Sequence, residues 1–244
     1  MLILDNVYKS FDGVSALGGF TFSAADGCIT GLLGPNGAGK TTALRILFGL
    51  IHADSGRAAI DEIDPAKNPI AARARLGIVT DQVGLYPRLT TREHLDYFGR
   101  LHGLDTAAIR RATAEIIELV GLGDIIDRRT AGFSQGQRMK VALARALLHK
   151  PRNLLLDEPS RGLDVVAARA LRTALKSLRE RGCCIVLASH VMQEVNQLCD
   201  EVVVIADGRS VARGTAQALC ERTGTQQLED AFVALTGIEE GIAA

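Results

Sequence analysis

The chain has 244 residues, 47% hydrophobic and 23% charged, which suits one large α/β domain or a core with an inserted subdomain. Its 28 Lys and Arg balance 28 Asp and Glu, so it lacks the basic surplus with which nucleic-acid binders displace counterions, and no nucleic acid is expected as a partner. The N-terminus MLILDNVYKS carries Asp5 and no basic stretch ahead of a long apolar core, so it does not read as a signal peptide. No run approaches ~18 consecutive apolar residues, so no bilayer span is expected.

In chain order, Leu2-Ile3-Leu4 and Phe20 to Ser23 are strand-like, with a turn signal at Asp12-Gly13. Cys28 to Leu33 is a short apolar strand running into GPNGAGKTT, and Ala43 to Leu50 has helical spacing of Leu44, Leu47 and Phe48. Residues 90 to 150 read as helical throughout, in three segments: Thr91 to Leu101, Thr106 to Val120 and Ser134 to Leu148. Bracketed by strand-and-turn sequence, this block reads as an inserted subdomain. Leu154-Leu155-Leu156 and Cys184 to Ala188 are continuous apolar runs, as expected of parallel strands covered on both faces. Between them Val165 to Glu180 is an amphipathic helix with Leu171, Leu175 and Leu178 inward; Val202 to Ala206 is a further strand, ending in the turn Asp207-Gly208. The five cysteines are odd in number and lack CxxC spacing, which suggests neither a disulfide framework nor a zinc site and fits a reducing compartment. Cys183 and Cys184 read as small apolar residues opening a buried strand.

Two motifs carry chemistry. Gly34-Pro35-Asn36-Gly37-Ala38-Gly39-Lys40-Thr41 fits G-x-x-x-x-G-K-[ST] between a strand and a helix. Glycines let the backbone N–H groups turn toward phosphate, and the helix beginning near Gly39 adds the positive end of its dipole. Lys40 is then a point charge for the β- and γ-phosphates, and Thr41 a Mg²⁺ ligand. The second motif is the apolar strand ending in Asp157-Glu158. Asp157 at the strand tip can orient the Mg²⁺ shell, and Glu158 can take a proton from an attacking water, a division of labour that suits hydrolysis.

Phe133-Ser134-Gln135-Gly136-Gln137-Arg138 resembles the LSGGQ signature of ABC ATPases. In the same order along the chain, Gln82 matches the family's Q-loop glutamine, Ser160 to Asp164 its D-loop, His190 its switch histidine, and Phe11 the aromatic that stacks on adenine. Tyr8 is close enough to stack instead. The resemblance runs from about residue 2 to 215. It implies an α/β P-loop core with an N-terminal antiparallel β-subdomain and an inserted α-helical subdomain. It also implies a RecA-like core at about 1–88 and 151–215, a helical subdomain at about 89–150, and a short helical extension at 216–244. The sequence departs from the family at Phe133 and Gln135, where Leu and Gly are usual, and at Arg161 and Val165, where a small residue and Pro are common.

By resemblance, two such subunits pair head to tail around ATP and Mg²⁺. Each site takes Gly34 to Thr42, Asp157, Glu158 and His190 from one subunit and Ser134, Gly136 and Gln137 from the other. Asp164 falls near the seam, and Gln82 touches the metal and relays its state. The resemblance further implies transmembrane permease subunits as partners, docking on Val83 to Thr91, and a cytoplasmic position at the inner face of the membrane. Tyr86 to Glu93, Phe98 to Leu101 and Leu228 to Gly237 look like exporter ATPases of the sodium- and drug-extruding kind. The alternatives are a soluble ABC ATPase acting on the ribosome or DNA, and a weakly hydrolysing scaffold. The first lacks its coiled coil or second cassette here, and intact Glu158 and His190 speak against the second.

Overall fold

A computed structural model describes residues 1–81 and 84–237. The chain opens with β1 (Leu2–Phe11), β2 (Val14–Ala24), β3 (Ile29–Leu33), α1 (Lys40–Leu47), β4 (Ser55–Ile60), α2 (Pro69–Arg73) and β5 (Leu76–Val79). Three helices follow, α3 (Thr91–Leu101), α4 (Thr106–Val120) and α5 (Gln135–Leu147). Then come β6 (Asn153–Asp157), α6 (Val165–Glu180), β7 (Cys184–Ser189), α7 (Met192–Leu198), β8 (Glu201–Ala206) and β9 (Arg209–Gly214). The helices α8 (Ala216–Thr223) and α9 (Leu228–Thr236) end the described chain.

Two sheets form, an antiparallel one in the order β2-β1-β4 and a larger one in the order β5-β6-β7-β3-β8-β9. The second is parallel except for the β8–β9 hairpin. The α/β fold is the one expected, with its antiparallel sheet and its helical insertion. Strand periodicity explains why the central strands read as unbroken apolar runs. Leu154 and Leu156 join the core under α4, α5 and α6, while Leu155 between them joins the core under α1 and the antiparallel sheet. Ile185 and Leu187 alternate with Cys184, Val186 and Ala188 in the same way. A third cluster seats α8 and α9 on β8 through Val202, Val204, Leu219, Leu228 and Phe232.

Several elements depart from the expectation. Asp12 and Gly13 do turn, with φ of 46° and 81°, but the hairpin they close is far longer than the runs at 2–4 and 20–23 suggest. The 90–150 block is not helical throughout. Gly121, at φ 69°, ends α4, and residues 121–134 are turns whose backbone pairs with the start of α3, Thr91 N–H to Arg128 C=O at 3.1 Å and Arg92 N–H to Ile126 C=O at 2.8 Å. Capping boxes start α3 (Thr90 with Glu93) and α5 (Ser134 with Gln137). All five cysteines are free thiols, and burial pushes Cys183 up to about 11 and Cys184 up to about 12. Among the described residues no helix is long and apolar enough to cross a membrane.

Candidate active site

The neighbouring strands β6, β7 and β3 deliver the expected residues at their carboxyl ends, where open α/β sheets bind ligands. The register aligns Asp157 with Ala188, and Leu33, just before the glycine-rich loop, with Ser189, just before His190. The loop leaving β3 passes so close to β8 that any Cβ at Gly34 would collide with the Ile205 carbonyl. Gly39 holds φ 105°, and a Cβ there would stand 2.7 Å from the Ala16 carbonyl oxygen. Both positions need glycine. Gly37 is exposed at the loop crest with φ 82°, and Ala38 is buried, accepting from the Gly208 N–H at 3.1 Å.

Lys40 opens α1 and is 6% exposed. Its Nζ donates to the carbonyls of Gly34 at 2.7 Å and Pro35 at 3.1 Å and lies 3.8 Å from Glu158 Oε1. Burial lowers its pKa, with Glu158 and Asp157 pulling the other way. The next residue, Thr41, donates its hydroxyl to Asp157 Oδ2 at 3.0 Å. Burial raises the Asp157 carboxyl above the ordinary carboxylate range despite that bond. Its Oδ1 is buried without a hydrogen-bond partner among the described residues. A hydroxyl and a carboxylate with an unmet oxygen are hard donors suited to Mg²⁺, so the residues fit the metal. A cavity of about 240 Å³ spans these groups. It is lined by Pro35, Asn36, Gly37, Gly39, Lys40, Thr41, Thr42, Asp157 and Glu158, and also by Ala16, Asp81 and Arg161.

Glu158 takes φ 49°, a left-handed conformation uncommon for a non-glycine residue. Its N–H donates to the Ala188 carbonyl at 2.9 Å, and its Oε1 lies 2.8 Å from His190 Nδ1. Behind the pair runs a buried network that sequence reading missed. Ser160 and Ser189 donate their hydroxyls to Glu194 Oε2 at 2.6 and 3.2 Å, and Ser189 Oγ accepts from Val191 N–H at 3.0 Å. Glu194 is 6% exposed, and burial raises its pKa. It clamps the turn after Glu158 to the turn carrying His190. The only signal for it was its place four residues after His190, on a helix too short to reveal a buried face.

Other expected site residues lie outside this cavity. Phe11 is at the corner of the β1–β2 hairpin, 44% exposed beneath Lys9, whose Nζ is 5.3 Å from the ring centroid. Tyr8 lies over Gly19 of its own sheet. Ser134 caps α5, its Oγ accepting from Gln137 N–H at 3.2 Å while Gln137 Oε1 accepts from Ser134 N–H at 3.1 Å. Gly136 packs on α6, where a Cβ would stand 2.8 Å from that of Ala167. Asp164 caps α6, its Oδ1 accepting from Ala167 N–H at 2.7 Å. Gln82, expected to touch the metal and relay its state, falls outside the described residues.

With the geometry in view, comparison with known proteins is specific. Residues 17–161 match the model of the family described as ABC transporter. The chain is 38% identical over 221 residues to the ABC transporter ATP-binding protein NatA of Bacillus subtilis (strain 168), covering 90% of each chain. It is 39% identical over 216 residues to the Nod factor export ATP-binding protein I of Burkholderia orbicola (strain AU 1054), covering 88% of this chain and 71% of that one. A solved ATP-binding subunit of an ABC transporter superposes with a TM-score of 0.88 at 28% identity, covering 96% of this chain and 99% of that one. A family match over more than half of the chain, and relatives matched along most of their length, place the chain in the ABC transporter family.

Proposed function

We propose that this chain is the ATP-hydrolysing subunit of a membrane exporter, coupling ATP-driven pairing with a second ABC ATPase subunit to transport through separate permease subunits. The observation that carries it is the convergence of Lys40, the Thr41–Asp157 pair and Glu158, itself bonded to His190, on one cavity. Lys40 and the loop N–H groups bind the β- and γ-phosphates. Thr41 and Asp157, with Gln82, hold Mg²⁺, which when bound neutralises charge on the phosphate oxygens. Glu158 accepts the proton of the attacking water, held in place by His190 Nδ1 at 2.8 Å. His190 Nε2 is left for the γ-phosphate. Phe11 stacks on adenine. The α5 start of the opposite subunit, Ser134, Gly136 and Gln137, closes the site, with the first-turn N–H groups that the Ser134–Gln137 capping box does not take up facing the phosphate. Asp164 lies near the seam. ATP bridges the two subunits and favours the closed pair by mass action, and hydrolysis releases it.

The same reading divides the chain into a core at about 1–88 and 151–215, a helical subdomain at about 89–150 and an extension from 216. The mutual packing of α3, α4 and α5 supports that division. Export is supported by the likeness to the Nod factor export ATP-binding protein I, and a place at the cytoplasmic face of the membrane belongs to the same reading. The test is a pull-down from detergent-solubilised native membranes with the Glu158→Gln variant, ATP and Mg²⁺. Recovery of a multi-span membrane protein is expected; recovery of only soluble proteins, ribosomes or DNA would overturn the exporter reading.

A further inference from the structure

The cavity wall holds a cation that the family pattern does not supply. Arg161 stands where a small residue is common, yet it lines the same space as Lys40, Thr41, Asp157 and Glu158. Its backbone is fixed from both sides. The Arg161 N–H donates to the Glu158 carbonyl at 3.2 Å, and the Leu163 N–H to that of Ser160 at 3.0 Å. The preceding residue, Ser160, is tied by its hydroxyl to buried Glu194 at 2.6 Å. On the other flank Gly162 turns at φ 72° against Gln135, whose Cγ lies 3.5 Å from where a Cβ on that glycine would be. The turn thus passes beside Gln135, a second residue at which this chain departs from its family. Its exposed side is the arginine.

Counting donors shows what that arginine is available to do. Lys40 has three N–H donors, and two carbonyls and Glu158 surround its Nζ within 3.8 Å. Arg161 forms no ion pair among the described residues and offers five donors in a planar fork that matches phosphate oxygens. Three carboxylates line the cavity, Asp81, Asp157 and Glu158. A polyphosphate entering there meets those carboxylates and the single ammonium of Lys40, and the guanidinium of Arg161 is the second cation on the cavity wall.

We propose that Arg161 is a phosphate-binding residue of this chain's own nucleotide site, donating to the terminal phosphate of the bound triphosphate. The proposal rests on the ATPase reading above. It assigns to Arg161 a preference for triphosphate over diphosphate that the glycine-rich loop alone would not give.

The test is calorimetric titration of ATP and ADP, with Mg²⁺, into the full chain carrying Glu158→Gln to stop turnover. It is run at protein concentrations that sedimentation shows to be monomeric. Adding Arg161→Ser should weaken ATP binding about 10- to 150-fold, the range of a charge-assisted contact, while ADP changes by less than about twofold. Arg161→Lys should restore only part of the loss, because a point charge lacks the fork. Raising the salt should narrow the gap, as screening demands of an exposed cation. Arg161 is exposed, so the variants should melt like the parent. Unchanged ATP affinity, an equal loss for ATP and ADP, or a loss confined to the dimer would each overturn the proposal. If the parent chain itself binds neither nucleotide, the ATPase reading fails first, and the two failures are told apart by that control.

Discussion

At the carboxyl ends of β3, β6 and β7, burial falls on Lys40, Asp157 and Glu194, three groups that charge in water; in the first turns of α3 it falls on His94, which is 0% exposed. The first set is surrounded by partners. Thr41, Ser160, Ser189 and two loop carbonyls take up most of their hydrogen-bonding capacity, and a cavity reaches the unmet Asp157 oxygen. His94 has neither ring nitrogen bonded among the described residues. Its ring is packed 4.9 Å from Phe98 and 5.7 Å from Tyr86, centroid to centroid. Burial, reinforced by the Arg145 charge, pushes its pKa down to about 4. An orphaned polar atom thus marks a ligand site only where charged partners and an opening accompany it. At His94 it marks a side chain used as an aromatic, at the expense of ~1–3 kcal/mol of unmet hydrogen bonding.

The comparison breaks most sharply at Glu158. Glu158→Gln removes the base but keeps the shape, so phosphate release from ATP should fall ~10²–10⁴-fold while ATP binding persists. Turnover close to the parent's would take the carboxylate out of its role and leave the polar cluster without a chemical purpose. The next effect lies in the other region. The unfolded chain takes up a proton on His94 near its ordinary 6.5, whereas the folded chain resists until about 4. His94 therefore favours folding fully above pH 6.5, and this contribution is lost as pH falls toward 4, by about 3 kcal/mol at most. His94→Phe keeps the aromatic contacts without the titration. In urea unfolding, its stability relative to the parent should rise across that window and stay level from pH 7 to 8. A difference that does not vary with pH would mean that His94 is not buried as a neutral ring.

Legibility in the sequence followed the same physics. β3, β6 and β7 could be read because both faces of each are covered, so apolar residues run almost unbroken to the tip, where Asp157 and His190 stand out. The glycine-rich loop could be read because its glycines answer steric demands that no other residue meets. β4 (SGRAAI) and β9 (RSVARG) could not, since edge strands join a sheet by backbone pairing and need few apolar side chains. The turns at 121–134 carry apolar residues because Leu122, Ile125 and Ile126 are buried beneath α3 and α5, which makes them resemble helix. Glu194 was invisible because its partners, Ser160 and Ser189, are 34 and 5 residues away in the chain, and only the pairing of β6 with β7 brings them together.

The smallest expected effect concerns the backbone at Glu158. A φ of 49° is sterically unfavourable for any side chain with a Cβ, and the segment is held there by its N–H bond to Ala188 and by the Ser160–Glu194 clamp. Comparing Glu158→Gly with Glu158→Ala isolates that term, because both lose the carboxylate and its contacts with His190 and Lys40. In the folded state the alanine bears the left-handed strain and the glycine does not; in the unfolded state the glycine has more freedom to lose, which offsets part of the gain. The glycine variant should be the more stable by about 1 kcal/mol in thermal or urea unfolding. Equal stability, or a more stable alanine, would mean that the turn relaxes when the carboxylate leaves. In that case the contacts to His190 and Lys40, rather than the Ala188 bond and the Glu194 clamp, hold the backbone in its left-handed turn.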